Sequence, residues 1–218
     1  MKRLRVVPMF VLLAAVGCAS APPVNMDAPR RVVGTESSVR VDAEVVGEEM
    51  RAGVPLPITY EVTNHRKEII AIADIVPETT YDAESNTLTV NIGSEVPGAS
   101  LLPRLIAIGP GEKKTFNTSA RVAGIGPKQS ANPQFRPSLD LRIKVNFLGN
   151  TEGFEDLIAM TQKATGDAKR ADEVFPVWLE RNEAVYTNAI PMRWMGRATD
   201  ATSAPPPADA TTRRRRRG

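Results

Sequence analysis

The amino-acid sequence predicts a mainly β fold, a sandwich of two antiparallel sheets with a short helical insertion before the last strand. Three observations carry this expectation. Apolar residues recur at every second position through most of a segment of about 160 residues, 38–196. Clusters of Gly, Pro, Asp and Asn punctuate those runs. Near residue 151 the apolar period changes from two to the helical 3.6.

The strands follow in order. Val39, Val41 and Ala43 alternate with Arg40, Asp42 and Glu44, as in a strand with one buried face. Gly53, Pro55 and Pro57 open a run in which Ile58, Tyr60 and Val62 share a face. Residues 69–76 are nearly all apolar and rich in β-branching, the signature of a strand covered on both sides. Asp82, Glu84, Ser85 and Asn86 form a turn into Leu88, Val90 and Ile92, whose alternation predicts pairing with the strand before. Leu105 to Ile108 runs into Gly109-Pro110-Gly111, a turn from which 115–122 returns as a strand. Leu139, Leu141, Ile143, Val145 and Phe147 are the clearest alternation in the chain.

The helical insertion is expected over 151–175. Phe154, Leu157, Ile158, Thr161 and Ala164 recur at helical spacing, with Glu152, Glu155 and Asp156 at the end where the helix dipole favours acid. Gly166 closes that helix, and a further turn or two over 167–174 stops at Pro176. Residues 186–190 read as the last strand, continued by Met192, Arg193 and Trp194 after Pro191. Short β-branched strands between strong turn signals resemble the immunoglobulin-like domains of the bacterial envelope at the level of fold. No Cys-Trp-Cys signature accompanies them.

The chain begins with Lys2, Arg3 and Arg5, an apolar run over 6–16, and then Gly17 and Cys18. A basic start, an apolar stretch of that length and small residues make a secretory signal peptide, 1–17, too short for the roughly 20 residues a spanning helix needs. Ala15-Val16-Gly17-Cys18 resembles the lipobox of bacterial lipoproteins, with Ala15 where Leu is commoner. The resemblance covers about the first 20 residues. It implies a lipidated Cys18, palmitate-type acylation of the new amino terminus, and, because Ala19 rather than Asp follows, sorting to the outer membrane facing the periplasm. Two or more acyl chains anchor stably where one is marginal. The alternative is an ordinary signal cleaved at 19–21.

Residues 18–37 are small, polar and proline-containing, and are expected to be a tether with a root-mean-square reach of about 25 Å. Residues 197–218, ending in Arg213, Arg214, Arg215, Arg216 and Arg217, carry no apolar period and are expected to be a disordered tail. No second composition shift divides the segment between them.

Charge excludes one class of partner. The whole chain carries +3, but removing residues 1–17 leaves 25 basic and 25 acidic side chains, and residues 18–212 carry −5. A mildly acidic domain does not displace phosphate counterions, so nucleic acid is not an expected partner. One Cys and one His exclude an internal disulfide, a CxxC redox pair, a four-thiolate zinc site and a multi-His centre, and no cofactor is expected.

The remaining candidates are weak. His65 as general base needs a serine, Ser85 or Ser138, and an acid such as Asp74 to converge on it. No GxSxG or SxxK supports that arrangement, and the strand-end context of His65 is that of an exposed turn. Asp82, Glu84 and Asn86 have the alternate spacing of a calcium loop without its Gly and distal Glu, and a turn explains them better. Gly124-Ile125-Gly126-Pro127-Lys128 lacks the third Gly and the Lys-Ser/Thr of a phosphate loop. Phe175, Trp178, Tyr186 and Trp194 crowd the C-terminal part. Aromatics so placed close a core more often than they form a surface, but Trp178 and Trp194 are the candidate partner surface. Arg213 to Arg217 are the candidate anion-binding residues, for lipid headgroups or anionic envelope polymers.

These readings add up to an expected non-enzymatic binding or assembly module, anchored by lipid in the cell envelope and partnered by another envelope protein. The alternatives are an envelope hydrolase built on His65 and a protease inhibitor presenting the loop 124–137.

Overall fold

The computed structural model describes residues 30–97, 101–122 and 137–197. In chain order the elements are β1 (Arg30–Glu36), β2 (Val39–Val45), β3 (Glu49–Ala52), β4 (Pro55–Asn64), β5 (Ile70–Ala73), β6 (Glu78–Asp82) and β7 (Thr87–Ile92). Then come β8 (Leu102–Pro103), β9 (Leu105–Ile108), β10 (Lys113–Arg121), β11 (Ser138–Leu148), α1 (Glu155–Ile158), β12 (Ala164–Thr165), α2 (Ala168–Arg181), β13 (Asn182–Tyr186) and β14 (Ile190–Arg197).

Two sheets face each other, as the alternating sequence requires. The first, ordered β1-β2-β4-β10, is antiparallel throughout. Its inward residues, among them Val32, Val41, Val45, Ile58 and Val62, pack against Leu88, Val90, Leu141, Ile143 and Val145 of the second. Each such side chain contributes about 1.5–3 kcal/mol by leaving water. The second sheet follows the order β3-β14-β11-β5-β9, with β13 and β7 also on β11 and β6 on β7. It is mixed rather than wholly antiparallel: β7 runs parallel to β11 and β3 parallel to β14.

Residues 30–36, which the sequence reading assigns to the tether, form β1 and pair with β2 along their whole length. Val32 is buried and Gly34 sits against β13, so only two inward positions mark this strand, too few to show a period. β1 runs away from the pole where β2 and β10 end and β4 begins, while β14 runs toward that pole, with Arg197 beside Ala52. Both ends of the domain therefore leave from one pole.

The partner of β7 is β6, not the strand before Pro77. Pro77 has no N–H to continue a ladder, so β5 stops short of it and pairs instead with β9. The last strand is likewise two. Thr187 interrupts it: its N–H donates to the carbonyl of Ile143 and its hydroxyl accepts from the Ile143 N–H. Asn188 then reaches back to the first sheet, its side-chain oxygen accepting from Val33 N–H at 2.7 Å.

A helical layer covers part of the outer face of the second sheet. The helix expected over 151–166 is a single turn, α1, because burying Phe154 and Leu157 needs only one; the chain then leaves to pair Ala164 with Pro103. α2 does not stop at Pro176 but runs through it to Arg181. Ala171, Val174 and Trp178 lie on one stripe and are buried, and that packing outweighs the roughly 3 kcal/mol an interior proline costs. Asp167 caps the helix by accepting from Arg170 N–H. Among the described residues no helix is long and apolar enough to cross a membrane.

Candidate functional site

The outward positions of β11 read in sequence as the wet face of an amphipathic strand. In the structure Ser138, Asp140 and Arg142 are exposed, but the outward positions beyond them are not. From Ile143 to Leu148 every residue of β11 is buried, so Lys144 and Asn146 are enclosed along with the apolar residues between them. What covers them is the chain leaving β7. Gly93 has φ +71 and passes so close to Asn146 that a Cβ there would stand 2.5 Å from the Asn146 carbonyl oxygen. Only glycine both adopts that conformation readily and fits the gap. Trp178 of α2 fixes the same turn by donating its indole N–H to Ser94 O at 3.2 Å, and it stacks edge-on with Phe154 at 5.8 Å.

A cleft of about 650 Å³ opens over this part of the sheet. Its floor is a row of cross-strand partners: Tyr186 pairs with Lys144, Lys144 with Asn91, and Asn91 with Glu78, across β13, β11, β7 and β6. Thr89 and Thr80 form the next row. Val96 and Leu101, both exposed, stand at the rim, and Ile75 and the buried Pro103 also line the cleft. The arrangement is a polar floor with an apolar margin.

Lys144 is the one basic residue lining the cleft among the described residues. Its side chain is 11% exposed, and its ammonium donates to Glu95 Oε2 at 2.9 Å while lying 5.5 Å from the centre of the Tyr186 ring. Burial pulls its pKa down, but the hydrogen bond to Glu95 and the influence of Tyr186 more than offset this, and the net shift is upward. The group is a held ammonium and not a neutral nucleophile. Glu95, its partner, is 65% exposed. Asn146 donates to Ile92 O, and its own side-chain oxygen is shielded from solvent with no hydrogen-bond partner among the described residues.

The residues singled out from sequence fare differently. Trp178 and Trp194 are 1% and 5% exposed, so they are core residues and not a partner surface. Trp178 belongs to the helical layer and Trp194 to the space between the sheets. His65 is exposed, at the end of β4, with its N–H on Ser38 O. Asp74 lies at the opposite end of the β5–β9 ladder and pairs with Arg104, while Ser85 donates to Asp82 and Ser138 O accepts from Asn86. These groups form no triad. The oxygens of Asp82 are engaged by Glu84 N–H and the Ser85 hydroxyl, and Asn86 adopts φ +52, so this stretch is the hairpin turn. Among the described residues no group of three or more His, Cys, Asp or Glu side chains is placed to hold a metal ion. Cys18, the loop segment Gly124 to Lys128, and Arg213 to Arg217 lie outside the described residues.

The sequence signal for this enclosure is Leu148. It continues the outward series 144, 146, 148 with an apolar residue, which marks that face of β11 as covered at its C-terminal end. Compared with family models, with curated proteins and with solved structures, the chain matches none.

Proposed function

We propose that this chain is a lipid-anchored cell-envelope module that binds a partner without catalysis, held at the outer membrane through Cys18 and facing the periplasm. One observation carries the reading. Both ends of the domain leave from one pole, whereas Lys144 lies six residues along β11 from Ser138 at that pole, about 20 Å away. A domain tethered through the chain before Arg30 presents its cleft away from the lipid. Tethering raises the effective concentration near membrane-bound partners, so modest affinity suffices.

Two measurements test this. Metabolic labelling with a palmitate analogue is expected to mark the wild-type protein in the membrane fraction and to be lost in Cys18→Ala; an unlabelled, soluble wild type overturns the anchor. A photocrosslinking side chain at Thr80, in the cleft, is expected to give a discrete adduct in cells, weakened by Cys18→Ala. The same group at Thr59, on the outer face of the first sheet, is expected to give none. Equal adducts from both positions overturn the cleft as the contact surface.

A further inference from the structure

The floor of the cleft carries a cation and an anion that do not meet each other. Lys144 and Glu78 stand on the same cross-strand row, separated by Asn91 on the strand between them. Neighbouring strands are about 4.8 Å apart, so the two backbones are separated by about 10 Å. The partner that neutralises Lys144 is not on the sheet. It is Glu95, on the chain beyond β7, and most of that side chain is in water.

This is an exchangeable pairing. Lys144 is buried and needs an anion. Glu95 gives up little when it turns back to solvent, because its own side chain is 65% exposed and regains water, while the incoming anion keeps the ammonium paired. A second carboxylate entering the cleft takes the same place on the ammonium and leaves Glu95 hydrated. The row then offers Lys144 for a carboxylate, Asn91 for a peptide group and Glu78 for an ammonium, with Val96 and Leu101 at the rim for small apolar side chains.

We propose that the cleft binds a short zwitterionic peptide, about three residues long, with its carboxylate on Lys144 in place of Glu95 and its ammonium at Glu78. The length follows from the geometry: an extended residue spans about 3.3–3.6 Å, so three bridge the row. The inference rests on the reading of the domain as a binding module and names the ligand class of that same cleft.

The test is calorimetric titration of residues 18–218, with Cys18→Ala for solubility, against trialanine, N-acetyl-trialanine and trialanine amide. Trialanine is expected to bind saturably. Amidation is expected to weaken binding about ten-fold or more in Glu95→Gln, where nothing else neutralises the buried ammonium, and by less in wild type, where Glu95 keeps its place on Lys144. Acetylation is expected to cost about two- to five-fold, since Glu78 is exposed. Glu78→Gln weakens trialanine but leaves N-acetyl-trialanine unchanged, so the two losses do not add. Glu95→Gln tightens trialanine about two- to five-fold by removing the internal competitor. Lys144→Met is expected to abolish the discrimination between trialanine and its amide; should it fail to fold, the Glu78 and Glu95 variants, both at exposed positions, decide the matter.

Absence of saturable binding in both wild type and Glu95→Gln up to ~10 mM, a concentration where even the weakest specific site registers, overturns the proposal. So does equal binding of free and capped peptides, or weaker binding by Glu95→Gln. If trialanine fails while labelling and crosslinking succeed, the envelope role stands without this ligand. If trialanine binds while Cys18→Ala changes neither labelling nor location, the peptide site stands without the anchor.

Discussion

Gly34 of β1 packs against the backbone carbonyl of Tyr186, so closely that a Cβ at position 34 would lie 2.3 Å from that oxygen. Here the backbone of a strand of the first sheet meets the backbone of one of the second, with the Val185 side chain alongside. Asn188 completes the contact by accepting from Val33 N–H and donating its own N–H to Val33 O. The edge strand of one sheet is thus stitched to a cleft residue of the other.

Gly34→Ala is therefore expected to lower stability by about 1–3 kcal/mol, the usual penalty of overpacking. Because the clash is local, hydrogen exchange at the Val33 amide is expected to accelerate more than exchange in β11. Uniform loss of protection would mean that the stitch is not a separate element.

Asn64 is fully buried and fully engaged. Its amide donates to Glu68 O at 2.8 Å and Ile108 O at 3.0 Å, and its oxygen accepts from Arg66 N–H at 2.9 Å. Asn64→Ala removes all three bonds, the one to Ile108 O in the buried interior, and is expected to cost about 3 kcal/mol in urea unfolding. Asn64→Asp, nearly the same shape, is expected to be no better, because it turns acceptors toward two carbonyls.

Pro176 is exposed and lies inside α2. It has no N–H to give the carbonyl of Asp172. Pro176→Ala is expected to raise stability by about 1–3 kcal/mol, read from the denaturation midpoint. A destabilised variant would show that the proline shapes the helix to fit the sheet.

Arg170 joins the two helices, donating to both carboxylate oxygens of Asp156 at 2.9 Å and to Gly153 O at 2.6 Å. The hydrogen bond from Arg170 holds the Asp156 carboxyl below its ordinary pKa. A carboxyl lowered on folding stabilises fully above the unfolded value of about 3.9, and that contribution is lost as pH falls through the folded value. Asp156→Asn is expected to cost about 0.5–1 kcal/mol at pH 6, with the gap to wild type narrowing as pH falls below the ordinary carboxyl range. A constant gap would assign the loss to something other than the ionised pair.

What the sequence discloses depends on how much of an element's environment is local. Val39 to Val45 and Leu139 to Phe147 show their burial by alternation, and both are strands facing the core. β6 (ETTYD) shows nothing of the kind, since it lies at an edge and draws its place from β7. Parallel pairing of β7 with β11 joins segments about 50 residues apart in the chain, and no short window of residues encodes it. The cleft was hidden for the same reason: Lys144 and Asn146 are polar residues at wet positions until Gly93 brings the chain across them. Pro176 reads locally as a helix stop because its penalty of a few kcal/mol is visible in the sequence, whereas the burial of Trp178 two residues on is set by tertiary packing.

The direction of β1 has a mechanical consequence. A pull on the chain ahead of Arg30, opposed by a load at the far pole, acts along the axis of the strand. The seven residue pairs between Arg30–Val45 and Glu36–Val39 are then loaded in shear, sharing the force together, and do not open one after another like a zip. The edge strand that is weakest by position is the one whose ladder is best oriented to bear tension.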